Sequence, residues 1–355
     1  MTCLRQRPAL ALLIQGSILA LAMSLAMPAQ VVPQGAQQQP PAQQQRPNSR
    51  GTIRSTVELV VVPVTVKDAR GNLVDDIRQD EFTIFEDDVE QRISTFSTDA
   101  APLSALVVLD DDLKPKATEQ VRRSLISLAG AFSESDEVAL GRFASFFTLL
   151  MDFTTDNDRL MAQLKDRASG DDSVPDPAST APNPGAGGQP IPGAPTTQQQ
   201  GSADKSTKHL DDALHGAAEV LRARPHERRK VIILISDGVD AKNNTYSYDQ
   251  ALTALLSADV SVYAIGTDAA LLRRGASPLS RYAHATGGDT YFVNNEAALS
   301  QAYAQVAEEA RHQYTLAYSP AGTDRTKNYH SVEVRVKRAG LNVLARDGYY
   351  LVRLP

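Results

Sequence analysis

The sequence predicts an α/β protein in which a doubly wound, mostly parallel sheet is inserted into a small discontinuous β domain. Three observations predict it. Uninterrupted apolar runs, Ala105-Leu-Val-Val-Leu and Lys230-Val-Ile-Ile-Leu-Ile-Ser, have the composition of strands covered on both faces. Stretches of helical periodicity alternate with such runs, the order that parallel crossovers require. The two ends of the folded region are instead β-only, with alternating Val332, Val334 and Val336 at the far end.

The 355 residues, 42% of them hydrophobic, suffice for a sizeable core. At the start, Arg5 and Arg7 precede an apolar run over 9–26 that is interrupted by Gln15, Gly16 and Ser17. This reads as a secretory signal over 1–29, with Ser24, Ala26 and Ala29 as small residues for cleavage. A run of about 18 residues also suffices to anchor a chain in a bilayer. Cleavage is the favoured reading, and it predicts export to the periplasm or beyond, with membrane contact confined to the signal or anchor segment. Cys3, the single cysteine, lies before the run, so the mature chain has no thiol for disulfides, metal ligation or catalysis. Residues 30–50 are Gln/Pro-rich and predict a disordered spacer, and 167–206 predict a disordered insertion of similar composition.

The β domain is expected from 51–99 plus 312–355. It opens with a β-branched strand over 57–66, a turn from Lys67 to Asn72, and short strands at Phe82-Thr-Ile-Phe and Ile93-Ser-Thr-Phe. Strands over 314–318, 331–337 and 341–345 complete it. The α/β domain is expected over 103–310. After the strand at 105–109, Val121, Leu125, Leu128 and Phe132 mark one face of a helix over 117–132. A strand at 137–143 and helices at 157–165 and 210–221 follow, then a strand at 230–236 and a helix at 251–258. A strand at 260–266, a helix at 279–286 closed by Gly287-Gly288, and a helix at 296–311 end the unit.

A net charge of -6 offers no basic footprint for phosphates, so nucleic acid is excluded as a partner. Trp is absent and aromatics are 6%, which argues against a carbohydrate-gripping surface. There is no Gly-x-Ser-x-Gly, His-Glu-x-x-His, Walker loop or Gly-x-Gly-x-x-Gly after a strand. His209 and His215 point to different sides of one helix and make a poor metal pair. The Asp110 and Asp112 carboxylates leave a hydrolase only as a remote alternative to a non-enzymatic protein.

Open parallel sheets bind ligands beyond the carboxyl ends of their strands. Two acidic clusters fall there, Asp110-Asp-Asp and Asp237-Gly-Val-Asp240. Strand, Asp cluster and helix, followed by Val-Ile-Ile-Leu-Ile-Ser-Asp-Gly, resemble the von Willebrand factor type A domain over roughly 103–310. The flanking Lys67-Asp-Ala-Arg-Gly-Asn, Ala285-Thr-Gly-Gly, Arg311-His-Gln-Tyr-Thr-Leu and Arg346-Asp-Gly-Tyr-Tyr resemble the type A-related proteins abundant in acidobacteria. The resemblance implies a metal-ion-dependent adhesion site, in which Asp-x-Ser-x-Ser, a Thr and a further Asp hold a divalent cation that a partner's acidic group completes.

Carried onto this chain, Asp110 matches the first Asp and Asp237 the last. The two serines are replaced by Asp112 and Lys114, and the Thr is either Thr207, shifted by one, or lost to Lys208. The degenerate set Asp110, Asp112, Asp237 and Thr207 leaves two readings open. Either it holds Mg²⁺ or Ca²⁺, with Asp112 as an added carboxylate, or Lys114 neutralises Asp110 and Asp237 and no cofactor binds. A plainer role for Asp237 and Asp240 is a turn and cap after a strand. The function implied is an exported adhesion or assembly module for a protein partner, with a metal-free scaffold of an envelope complex as the alternative.

Overall fold

The computed structural model describes residues 59–169, 208–273, 277–321 and 326–351. The expected signal, the Gln/Pro-rich spacer, Thr207 and residues 170–206 of the expected insertion lie outside the described residues.

The chain opens with β1 (Val60–Lys67), whose side chains alternate between two environments. Val60, Val62, Val64 and Val66 enter the β core, so Val61, Pro63 and Thr65 face the opposite way. β2 (Phe82–Glu86) turns into β3 (Val89–Gln91) through Asp87 and Asp88, at φ 46° and 66°, a left-handed pair that Asp tolerates better than most residues. β4 (Ile93–Ser97) completes the first part of the β unit.

The α/β unit follows. Its elements are β5 (Leu103–Asp110), α1 (Pro115–Ala129), β6 (Glu137–Phe143), β7 (Phe147–Thr154), α2 (Asn157–Ser169), α3 (Leu210–Arg222) and β8 (Arg229–Ser236). It continues with α4 (Tyr248–Ser257), β9 (Val260–Gly266), α5 (Ala269–Leu272), α6 (Pro278–Ala285), β10 (Thr290–Phe292) and α7 (Glu296–Arg311). Strand order is β10-β9-β8-β5-β6-β7, parallel throughout except for the antiparallel β7.

Continuous apolar strands make sense in this position, because every residue of β5 is buried. Leu103, Ala105, Val107 and Leu109 pack against α1, α2 and α7 on one face. Leu106 and Val108 pack against α3, α4 and α6 on the other. The predicted doubly wound α/β class is therefore the observed one.

The chain then returns to β11 (Tyr314–Tyr318), β12 (Tyr329–Val336), β13 (Asn342–Ala345) and β14 (Gly348–Tyr350). These join the first strands in two antiparallel sheets, β13-β1-β11-β4 and β14-β12-β2-β3, around one core. The strands β3, β10 and β14, at three residues each, are too short to show a period in the sequence. β7 was also not expected: it lies at the sheet edge, and its irregular burial erases the alternation that marks a strand.

The two units meet closely at Gly287-Gly288. A Cβ on Gly287, at φ 77°, would lie 2.7 Å from the Arg346 nitrogen across this junction, and one on Gly288 would lie 2.0 Å from the Val262 carbonyl oxygen of β9, within the α/β unit. Gly287 thus also lets the segment just after β13, which carries Arg346, approach the α/β unit. Among the described residues, no helix is long and apolar enough to cross a membrane.

Candidate functional site

β5 and β8 are adjacent parallel strands, so their carboxyl ends bring Asp110 and Asp237 to the same edge of the sheet. Lys208, immediately before α3, is directed between them. Its ammonium lies 3.2 Å from Asp110 Oδ2 and 2.9 Å from Asp237 Oδ1, and the residue is only 3% exposed. The Lys208 carbonyl accepts from the Ala241 amide and the neighbouring His209 amide donates to Ala144, which fixes the backbone on both sides.

The carboxylates have further donors. The Ser236 hydroxyl donates to Asp110 Oδ2 at 2.7 Å, and the Asp112 amide donates to Oδ1 at 3.0 Å. Val239 N–H donates to Asp237 Oδ1 at 3.0 Å. Burial pushes the Asp110 carboxyl above its usual range, against the pull of the Lys208 ammonium and the Ser236 hydroxyl. Two carboxylates with one ammonium, all nearly dry, form a closed charge triad.

The residues of the implied adhesion site are therefore distributed unevenly. Asp110 and Asp237 come together, and Thr207 lies outside the described residues. Asp112 is exposed and contributes its backbone amide to Asp110. Lys114, expected to neutralise the pair, is exposed at the start of α1, and Lys208 carries out the neutralisation instead. The sequence signal for this was its position. A residue just before a helix that follows a crossover lies at the carboxyl edge of the sheet, level with Asp110.

A divalent cation binds carboxylate oxygens at about 2.0–2.6 Å. It would have to occupy the space that the Lys208 ammonium fills, and the two positive charges would repel in a dry site. The residues present suit an ammonium and do not suit a metal at this point. Among the described residues, no group of three or more His, Cys, Asp or Glu side chains is arranged to hold a metal ion.

The surrounding acids serve the loops. Asp240 Oδ1 accepts the Leu210 amide at 2.9 Å, so it caps α3 rather than a helix after its own strand. Asp212 accepts the amides of Thr245 and Tyr246, and Asp211 accepts the Tyr282 hydroxyl. His209 lies 3.3 Å from Asp212, while the ring of His215 stacks on Tyr246, so the two histidines do not converge.

Comparison with solved structures returns distant likenesses. A von Willebrand factor type A protein from Catenulispora acidiphila is 9% identical, with 82% of this chain and 75% of that one covered and a TM-score of 0.42. Proximal thread matrix protein 1 from the mussel byssus is 14% identical with a TM-score of 0.40; 60% of this chain is covered, and this chain spans only 49% of that protein's length. An aerotolerance-related membrane protein from Bacteroides fragilis is 17% identical, with 58% and 98% covered and a TM-score of 0.38. No curated protein matches the chain. The family model for the von Willebrand factor type A domain does match, over residues 197–305, from the segment before α3 to within α7.

Proposed function

We propose that this chain is an exported, non-enzymatic binding or assembly module whose type A domain engages a protein partner without a metal ion. The observation that carries this reading is the Lys208 ammonium between Asp110 and Asp237, where the adhesion-site resemblance would put a cation. Type A domains are generally interaction modules, and the absence of catalytic signatures from the sequence agrees with that role. Export rests on the signal-like run over 9–26 alone.

The test is calorimetry of the full chain with Mg²⁺, Ca²⁺ and Mn²⁺, with thermal melts in excess metal and in chelator. A ligand that binds only the folded state raises its melting temperature. The wild type is expected to give no saturable heat and no shift, whereas Lys208→Thr, which removes the ammonium and restores a hydroxyl, gains metal binding. Saturable binding by the wild type that Asp237→Ala abolishes would sink the metal-free reading. Pull-downs from the native envelope should recover the same partner with and without chelator, and fractionation should find the chain outside the cytoplasm.

A further inference from the structure

At the opposite end of the sheet, the amino ends of β8 and β9 open onto a cleft of about 240 Å³. Its other wall is the outward face of β1 and β11, where alternation places Val61 and Pro63 after their neighbours have entered the β core. Val61 is 41% exposed although it belongs to a valine-rich strand. Leu256, Val260 and Ala101 continue this apolar lining.

Set into the apolar wall are the cations Arg229, Lys230 and Arg346, beside Arg228, which pairs with Glu137 at 3.5 Å. Arg346 is 8% exposed; one of its terminal nitrogens pairs with Asp259 at 2.8 Å, the other donates to the Val61 carbonyl, and its Nε is buried with no hydrogen-bond partner. Arg229 donates to the carbonyls of Ala310 and Gln313, the Gln313 side chain and the Thr315 hydroxyl, all neutral acceptors. Lys230 is 4% exposed, and its hydrogen bond is a long 3.5 Å contact to the Arg222 carbonyl.

Among the described residues, neither Arg229 nor Lys230 has a carboxylate in ion-pair range. Burial lowers the Arg229 guanidinium to about 10, opposed only by the Tyr263 phenol, and it lowers the Lys230 ammonium as well, against the pull of the Asp259 carboxylate. Buried cations are ordinarily paired with anions. The lining holds two carboxylates, Glu227 and Asp259, both exposed, and among the described residues only Asp259 is in ion-pair range of one of the three cations, Arg346.

We propose that this cleft binds a small amphipathic carboxylic acid, its carboxylate held by Lys230 and Arg346 Nε and its tail lying on Val61 and Leu256. A guanidinium and an ammonium in a dry wall give strong charge-assisted hydrogen bonds to a carboxylate. The volume is just below the roughly 300 Å³ at which small-molecule sites usually begin, so the acid is short. The site is separate from the Lys208 triad and does not depend on what that triad binds.

The probe is hexanoate, titrated into the full chain by calorimetry and thermal melting, beside hexanol, hexylamine and inorganic phosphate. Hexanoate is expected to bind saturably and raise the melting temperature, with hexanol, hexylamine and phosphate at least tenfold weaker. Lys230→Met, which keeps the apolar stem, should keep the ligand-free melting temperature and lose at least tenfold in hexanoate affinity. Val61→Phe, at an exposed wall position, should block binding by filling the cleft. No hexanoate binding, equal binding of hexanol, tighter binding of phosphate, or full affinity in Lys230→Met would each overturn the proposal.

Discussion

The two ends of the six-stranded sheet treat buried positive charge in opposite ways. At the carboxyl end, Lys208 is matched by Asp110 and Asp237 and the site is closed. At the amino end, Lys230 is almost equally buried, yet the described residues bring no carboxylate into ion-pair range of it, and beside it lies a cleft. The difference teaches that burial alone does not give a lysine its role. A cation neutralised within the chain fixes loops, and one left unmatched leaves an opening for an external anion.

The sharpest way to break this comparison is to remove each lysine. Lys208→Met leaves two buried carboxylates without a counter-ion and should cost about 3–5 kcal/mol, read from urea unfolding. A loss below about 1 kcal/mol would mean that the triad is not the closed unit described.

A second internally matched charge gives a pH test. Asp136 is buried and accepts from Leu103 N–H, Ser133 N–H and hydroxyl, and Arg311. Burial works to raise its carboxyl, but the donors of Ser133, Arg311 and Leu103 outweigh it and hold the group below its usual range. Its folded value is thus below the unfolded value of about 3.9. The stabilisation is present above that value and is lost as pH falls through the folded one. Asp136→Asn should therefore cost about 1.5–3 kcal/mol near neutral pH, and the gap to wild type should close below about pH 4 in acid unfolding curves.

Gly287→Ala tests whether the amino-end cleft depends on the close approach of the two units. The added methyl meets the Arg346 nitrogen at a positive φ that favours glycine and should cost about 1–3 kcal/mol in thermal unfolding. The smallest effect belongs to Lys230→Met. With no pair to break, stability should change by no more than about 0.5 kcal/mol, in contrast to Lys208→Met. A loss comparable to that of Lys208→Met would erase the distinction between the two ends.

Most of the fold was legible because its signals are local. The apolar runs of β5 and β8 mark doubly covered strands, and the one-sided patterns of α1 and α3 mark the helices that cover them. β7 was not legible, because an edge strand is partly buried on both faces and follows no clean period. At the site, Asp110 and Asp237 could be placed together from topology alone. The choice between Lys114 and Lys208 could not, since both stand at the start of a helix and only the packed loops direct one inward.

By itself, then, the sequence determined the α/β class, the flanking β segments and the acidic edge of the sheet, all consequences of hydrophobic period and chain order. Tertiary structure alone decided which lysine lies between the carboxylates and which cations line the cleft below. Those pairings join residues such as Asp110 and Lys208, or Arg346 and Asp259, that are distant along the chain. The physical reason is that charge pairing depends on distance and desolvation in three dimensions, and neither has a period that a sequence can display.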